Sequence, residues 1–321
     1  MAEFDDYAKT YLRQWDQWAT IRSRQRYQLT AEDIEDGLFP APLQAVVQHP
    51  EVIARGTGTV RELLLRSAYQ WQSAVADIEV DVVAELCGRL AHGKVRFALP
   101  QSARHVALTI GADEMYHSYV ASEFNERLKE LAGIDFTGST TLSSLVKALR
   151  QVRARAPADL VNEAEIMVLC FAEHFVTEEL FGLSSGGAAR GAFQVITREH
   201  LMDEGRHQQF FSRLAAHMWA GLDPTERAVL GDLVPGFLDV FLRDDAHFVE
   251  DAVDLVMALG FSSDNAVRIV NEAFDAKYGT APRPKWELRH AAHCLKLMHS
   301  CGMLADPGTR ETLVMSGWIA P

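Results

Sequence analysis

Apolar residues recur every three or four positions along most of the chain, which predicts long amphipathic helices. Alternating patterns typical of strands are nearly absent, and the best strand candidate is the short stretch 94–98. The four longest predicted helices cover about 58–91, 101–132, 158–182 and 189–220. An amphipathic segment precedes them at about 5–26. Shorter helices follow near 225–242, 246–259, 264–276 and 284–300.

Proline and glycine mark the ends of these helices. Long proline-free stretches, as long helices require, separate Pro50, Pro100, Pro157 and Pro224. Proline is favoured in the first helical turn, so the last three are expected to open helices. The run Asp-Pro-Thr-Glu at 223–226 is typical of an N-cap. Glycine and serine at 182–187 are expected to separate the third helix from the fourth.

The pattern predicts an all-α protein that forms a single domain over residues 1–321. Its four-helix core covers about 58–220, and a helical C-terminal cover follows at about 222–321.

Composition and charge narrow the class of protein. The chain is 48% hydrophobic, and its net charge of −13 without a dense basic cluster argues against nucleic acid or an anionic membrane as partner. No apolar run is long enough to cross a membrane, and residues 1–16 lack a signal-peptide core. The cysteines form no Cys-x-x-Cys pair, so we expect buried free thiols in a reducing cytoplasm. They are Cys87, Cys170, Cys294 and Cys301.

The motif Asp-Glu-x-x-His occurs twice, at 113–117 and at 203–207. In a helix, a glutamate and a histidine three positions apart lie on the same face. Two such helices that face each other form the core of a carboxylate-bridged di-iron or di-manganese site in a four-helix bundle. The motifs therefore supply four candidate ligands, which are Glu114, His117, Glu204 and His207.

Such a site needs one further glutamate from each remaining helix, and Glu79 and Glu173 are the candidates. Each lies among apolar residues at helical spacing, where an isolated buried charge is very costly. A pair of divalent cations would remove the repulsion among four converging carboxylates. Glu178 and Glu179 compete with Glu173, but both fall at the edge of the apolar face.

One histidine has no counterpart in the other half. His200 lies one turn before Glu204 on the same face, whereas Ile110 occupies the corresponding position before Glu114. A structural core histidine is the alternative, but the spacing to two candidate ligands favours a third imidazole at the metal site.

Asp113 and Asp203 each precede a candidate glutamate by one position. A metal-bound imidazole usually donates its other N–H group to a carboxylate. We therefore predict that Asp113 holds His207 and that Asp203 holds His117, with solvated acids as the alternative.

Together these residues resemble the p-aminobenzoate (arylamine) N-oxygenases, which are ferritin-like non-haem di-iron enzymes. The resemblance covers a core of about 60–215, and the additional histidine is its distinctive part. It rests on Glu79, Asp-Glu-Met-Tyr-His at 113–117, Ala-Glu at 172–173 and His-Leu-Met-Asp-Glu-Gly-Arg-His at 200–207. It implies a ferritin-like four-helix bundle core with additional N- and C-terminal helices.

The resemblance also implies a reaction. Two iron ions, with manganese as a substitute, would use O2 to oxidise a primary amine, aryl or amino-acid-like, to hydroxylamine and onward to nitroso or nitro. Glu114 and Glu204 would bridge the ions, Glu79 and His117 would complete one, and the other would be completed by Glu173, His200 and His207. A small-molecule amine substrate, an external electron donor, a homodimer and a role in natural product biosynthesis are expected with it.

Two alternative functions fit the same candidate ligands. The first is C–H hydroxylation or desaturation by the same di-iron unit, although the third histidine favours N-oxygenation. The second is a non-enzymatic ferritin-like protein that stores or senses metal. The long C-terminal segment argues against it, because storage proteins are typically shorter.

Overall fold

The computed structural model describes residues 1–35, 37–136, 143–185, 191–242, 244–280, 284–288 and 290–320. Most residues in these ranges are helical and none of them forms a strand, which confirms the predicted all-α class. The α-helices are α1 (Ala2–Trp18), α2 (Thr20–Ser23), α3 (Pro50–Ala54), α4 (Thr57–Ile78), α5 (Glu85–Ala91), α6 (Gln101–Ala132), α7 (Ser144–Arg155), α8 (Val161–Ser185), α9 (Ala192–Gly221), α10 (Pro224–Phe241), α11 (Asp244–Ala258), α12 (Ser263–Tyr278), α13 (Ala291–Ser300) and α14 (Pro307–Met315).

A four-helix bundle forms the centre of the molecule. The π-helical segment Glu79–Ala84 joins α4 to α5, and the resulting continuous helix packs along α6. α8 packs along α9, and α9 also contacts α6. α6 and α9 run in opposite directions, since Asp113 contacts His207 while His117 contacts Asp203. The predicted four-helix core is thereby confirmed.

Local sequence explains where several helices begin and end. Pro100 precedes α6, and Gly133 follows it with φ of 62°, a left-handed conformation that glycine adopts without strain. Asp223 and Glu226 form a capping box at the start of α10, as the run at 223–226 predicts. Pro157 does not open a helix directly, because α8 begins at Val161.

Additional helices cover both sides of the bundle. The buried residues of α1, which are Phe4, Ala8 and Tyr11, join the main apolar core, and α1 and α2 both contact α6 and α9. On the other side, α10 and α13 pack against α8, and α11 packs against α4. The rings of Phe171 and Phe237 lie 5.4 Å apart between their centroids at the contact of α8 with α10. Three of the C-terminal helices, α10, α11 and α13, therefore pack against the bundle, while the single-domain organisation and the extent of the C-terminal cover stay predictions.

Some elements differ from the sequence prediction. The pattern assigned no helix to α7, yet its apolar positions follow helical spacing and are buried, namely Leu145, Ala148, Leu149 and Val152. α14 was also not predicted, and the helix expected at 284–300 begins only at Ala291. The glycine-rich break expected at 182–187 is wrong for 182–185, because α8 continues to Ser185, and its last two residues lie outside the described residues.

The strand candidate at 94–98 is also wrong. This stretch forms bends, and its backbone is tied to α8 by a hydrogen bond of 2.6 Å from the N–H of Arg96 to Oε1 of Glu163. The backbone donor is therefore satisfied by a side chain and not by a neighbouring strand.

Two predictions about the whole chain can be compared with the structure. All four cysteines are buried free thiols, as expected. Among the described residues, none of the helices combines the length and the apolarity that a membrane crossing requires.

Candidate metal centre

The seven predicted ligands lie together in the middle of the four-helix bundle, and all of them are buried. Every core helix contributes at least one. Glu79 begins the π-helical segment, Glu114 and His117 lie on α6, Glu173 lies on α8, and α9 carries His200, Glu204 and His207. π-Helical turns are rare and frequently occur at functional sites, which agrees with the position of Glu79.

The donor atoms of these side chains form two overlapping groups. Within each group, one ligand atom from every member lies within 4.8 Å of all the others. The first group consists of Glu79, Glu114, His117, His200 and Glu204. The second group consists of Glu114, Glu173, Glu204 and His207. Glu114 and Glu204 belong to both, which is the arrangement in which two metal ions share two carboxylates.

Several of the candidate metal-ligating atoms lack the hydrogen-bond partners that buried polar atoms ordinarily have. Oε1 of Glu114, Oε2 of Glu173 and Nε2 of His200 have no hydrogen bond within the part of the chain that the structure describes. Nε2 of His200 lies 3.2 Å from Oε1 of both Glu79 and Glu204, and Oε1 of Glu114 lies 2.8 Å from Nδ1 of His207, but none of these contacts has hydrogen-bond geometry. Imidazole and carboxylate donors are a set that iron and manganese accept. The residues present therefore fit a metal centre.

The four glutamates divide into two pairs by pKa. Burial, reinforced by the nearby Glu114, raises the pKa of Glu79 to about 8. Burial and the carboxylates of Glu204 and Glu114 raise the pKa of Glu173 well above its usual range. Burial alone would also raise the pKa of Glu114 and of Glu204, but His207 and the other neighbouring imidazoles hold both values low. Burial therefore disfavours the charged form of Glu79 and Glu173, and a bound divalent cation would offset this free-energy cost.

The three imidazoles lie between these carboxylates. Burial alone would lower the pKa of each, but the surrounding carboxylates raise the pKa of His117 and His207 well above its usual value and also raise that of His200. The ring centroids of His117 and His200 are 4.0 Å apart, whereas those of His117 and His207 are 6.1 Å apart. Two imidazoles therefore lie at one end of the site and one at the other.

The two aspartates contact the histidines of the opposite helix. Nε2 of His117 lies 3.1 Å from Oδ2 of Asp203, and Nε2 of His207 lies 3.2 Å from Oδ2 of Asp113. The other ring nitrogen of each histidine, Nδ1, faces the glutamates, at 2.8 Å from Glu114 in both cases. These are the contacts that the sequence predicts, and neither aspartate is a solvated acid, because both are fully buried.

The structure corrects the expected place of His200. The family pattern, as applied to the sequence, grouped His200 with Glu173 and His207, but its donor atom lies with Glu79 and His117. The reason is the antiparallel course of α6 and α9. One turn before Glu204 on α9 is at the same level of the bundle as one turn after Glu114 on α6, where His117 lies.

The sequence matches the family model described as "P-aminobenzoate N-oxygenase AurF" over residues 61–296. The chain belongs to this family. The match spans more than half of the chain and includes all seven candidate ligands and both aspartates. It confirms the resemblance that the motifs predict. No curated protein matches the chain at a significant level.

Three residues that the sequence did not single out also contact the aspartates of this N-oxygenase family member. Nε1 of Trp15 donates to both carboxylate oxygens of Asp113, at 2.9 Å each. Thr20 donates to Asp203 through its backbone N–H and its hydroxyl, and Arg206 forms an ion pair with the same carboxylate. Arg206 could have been found, because it lies one turn after Asp203. Trp15 and Thr20 are distant in sequence and carry no such signal.

A second buried glutamate on α8 shows that burial alone does not identify a ligand. Glu165 is fully buried, but its carboxylate forms ion pairs with Arg89 and Arg153. It is therefore compensated by arginines and lies in neither group of candidate ligands. The side chains of the competing Glu178 and Glu179 lie outside the described residues.

A small pocket, with room for about one water molecule, adjoins the first group of ligands. His117 and His200 lie at its inner surface, and its polar lining includes Gln72, Tyr116 and Glu199. Of these residues, Gln72 is buried. The pocket therefore lies beside the end of the site that carries two imidazoles.

Proposed function

We propose that this family member is a di-iron monooxygenase that uses O2 to convert a primary amine to a hydroxylamine and then to a nitroso or nitro product. The observation that carries the proposal is the pair of buried donor groups that share Glu114 and Glu204. The family match supports nitrogen as the oxidised atom. Manganese is the alternative metal, because it accepts the same donors.

Under this proposal the ligands are divided by the geometry of the two groups. One ion would be held by Glu79, His117 and His200 and the other by Glu173 and His207, with Glu114 and Glu204 available to both. When bound, the metal pair would supply the electrons and the Lewis acidity for oxidation by O2. The lowered pKa of Glu114 and Glu204 keeps these carboxylates deprotonated, whereas the pKa of each of the three imidazoles is raised, so binding of the cations would displace protons from the histidines.

The chain itself excludes water and holds the ligands in place. All seven ligands are buried, so competing hydrolysis and loss of reactive species to solvent are restricted. Asp113 and Asp203 accept from the Nε2 atoms of His207 and His117, which leaves each Nδ1 atom directed at the glutamates. The small pocket beside His117 and His200 lies at the end of the site where we expect small molecules to reach the ligands.

The proposal includes partners that the reaction needs. Insertion of one oxygen atom of O2 into an N–H bond releases the other as water, which consumes two protons and a pair of electrons for each step of this kind. An external reductant must supply these electrons, so we include an electron donor among the partners. A homodimer, a cytoplasmic location and a role in natural product biosynthesis stay expectations from the sequence.

Turnover with labelled oxygen tests this function. Protein loaded with Fe²⁺ without air is mixed with reductant, ¹⁸O2 and a panel of aryl and amino-acid-like primary amines, and the products are analysed by mass spectrometry. We expect the label on nitrogen in wild-type protein and no product with Glu204→Ala. Label on carbon supports the hydroxylase alternative, and iron oxidation without an organic product supports metal storage. Either result overturns the proposal.

A further inference from the structure

The N-terminal segment contacts both aspartates of the metal centre. Trp15 lies in the last turn of α1 and Thr20 begins α2, so only four residues lie between the two hydrogen-bond donors. Both lie outside residues 61–296, which the family model matches. We propose that Trp15 and Thr20 are positioning residues that orient His207 and His117 through Asp113 and Asp203. This inference rests on the proposed metal-dependent function.

The first chain of contacts runs from Trp15 to His207. The indole N–H of Trp15 is shared between both oxygens of Asp113, at 2.9 Å each, and Oδ2 of Asp113 lies 3.2 Å from Nε2 of His207. Trp15 and His207 are the hydrogen-bond donors to Asp113 among the described residues. Because Asp113 is fully buried, loss of the indole N–H would leave its carboxylate with a single donor.

The second series of contacts runs from Thr20 to His117. The backbone N–H of Thr20 lies 3.2 Å from Oδ1 of Asp203, and its hydroxyl donates to Oδ2. The same Oδ2 atom lies 3.1 Å from Nε2 of His117. Arg206 adds an ion pair to Asp203, so this carboxylate has more donors than Asp113 has. We therefore expect the larger effect from Trp15 and the smaller effect from Thr20.

The two series of contacts are arranged alike on the two Asp-Glu-x-x-His motifs. Each motif places its aspartate four residues before its histidine, and each aspartate crosses to the histidine of the other helix. The N-terminal segment therefore fixes both crossing contacts from one side. Outer partners of a ligating histidine set its ring orientation and its basicity, which is how a residue without a metal contact affects metal affinity.

A pair of tryptophans on α1 allows a matched test. Trp15→Phe removes the indole N–H but keeps an aromatic ring in place, and Trp18→Phe makes the same change at a residue that is 53% exposed. Each protein is titrated with Co²⁺, and its affinity and visible ligand-field spectrum are measured. We expect Trp15→Phe to lower the affinity on the order of 10-fold and to change the spectrum. Trp18→Phe should match the wild type in both.

A double variant separates positioning from packing. If Trp15 acts through Asp113, the double variant Trp15→Phe with Asp113→Asn should bind no more weakly than Asp113→Asn alone. Additive losses would mean that Trp15 only packs α1 onto the bundle, and they would overturn the inference. So would a Trp15→Phe protein with the wild-type affinity and spectrum.

Thr20 provides a second pair in case Trp15→Phe does not fold. Thr20→Ser keeps the hydroxyl and should retain the wild-type Co²⁺ spectrum, whereas Thr20→Val should change it. Identical spectra for both variants contradict the inference. Failure of the proposed function is visible in the wild-type protein alone, which would then bind no pair of metal ions or would bind them without placing oxygen on nitrogen.

Discussion

Nε2 of His200 lies 3.2 Å from Oε1 of Glu79, and this contact places the third imidazole at the same end of the site as His117. The donor groups are therefore unequal. One contains two imidazoles beside Glu79, and the other contains His207 beside Glu173. An ion at the first position would have more nitrogen donors than an ion at the second, so the two positions are expected to differ in affinity and reactivity.

Replacing His200 should weaken one metal position more than the other. His200→Ala removes a donor from the group with Glu79 and His117, while the group with Glu173 and His207 keeps all its members. We expect the variant to retain its fold. Its second equivalent of Fe²⁺ should bind more weakly than in the wild type, and its turnover should be lower. Titration of each equivalent without air measures this.

His49 is the matched control for that experiment. It is also 8% exposed, but its partner is Glu272 and it lies in neither donor group. His49→Ala should bind both equivalents of Fe²⁺ as the wild type does. If His200→Ala binds both equivalents of Fe²⁺ with unchanged affinity, His200 is a structural core histidine and not a metal ligand.

Two buried glutamates on α8 should respond oppositely to the same change. Glu173→Gln should lower metal content with little loss of stability, because Glu173 has a raised pKa and a carboxylate oxygen without a hydrogen bond to the described residues. Glu165→Gln should leave metal content unchanged and lower the free energy of unfolding by about 1.5–3 kcal/mol, because it weakens the charge-assisted hydrogen bonds that Arg89 and Arg153 donate to this buried side chain.

Elemental analysis and chemical denaturation decide between these outcomes. Metal loss from Glu165→Gln at full stability, or normal metal content in Glu173→Gln, would show that the site has been assigned to the wrong part of α8.

The aspartates should affect metal binding without being ligands. Asp113→Asn and Asp203→Asn keep the shape of each side chain but weaken acceptance from His207 and His117. We expect metal affinity or activity to fall about 10–100-fold while two ions still bind at high metal concentration. Competition with a chelator of known affinity measures the change. Wild-type affinity in both variants would limit the aspartates to a structural role.

Metal should stabilise the fold, because the donor groups exist only in the folded chain. At a free metal concentration 100 times the Kd, the free energy of unfolding should rise by about 2.7 kcal/mol for each site. Glu204→Ala should lose most of this gain, since Glu204 belongs to both groups. Thermal unfolding with metal and with excess chelator tests this. An equal gain in Glu204→Ala would contradict shared binding.

The sequence by itself determined the local geometry of the site. Glutamate and histidine three positions apart share a helix face whatever the rest of the chain does, so both motifs could be identified from helical spacing. The burial of Glu79 and Glu173 followed from their apolar neighbours. The all-α class followed in the same way, because hydrophobic periodicity is a property of each segment.

The tertiary structure decided how these faces meet. The antiparallel course of α6 and α9 set the level of His200 and grouped it with Glu79 and not with Glu173. Packing of the N-terminal helices brought Trp15 to Asp113, and the positions of Arg89 and Arg153 made Glu165 an ion-pair partner and not a candidate ligand. These contacts join residues far apart in the chain. Helical spacing specifies which side chains share a face, but the direction and depth at which two faces pack depend on long-range contacts that no single segment contains.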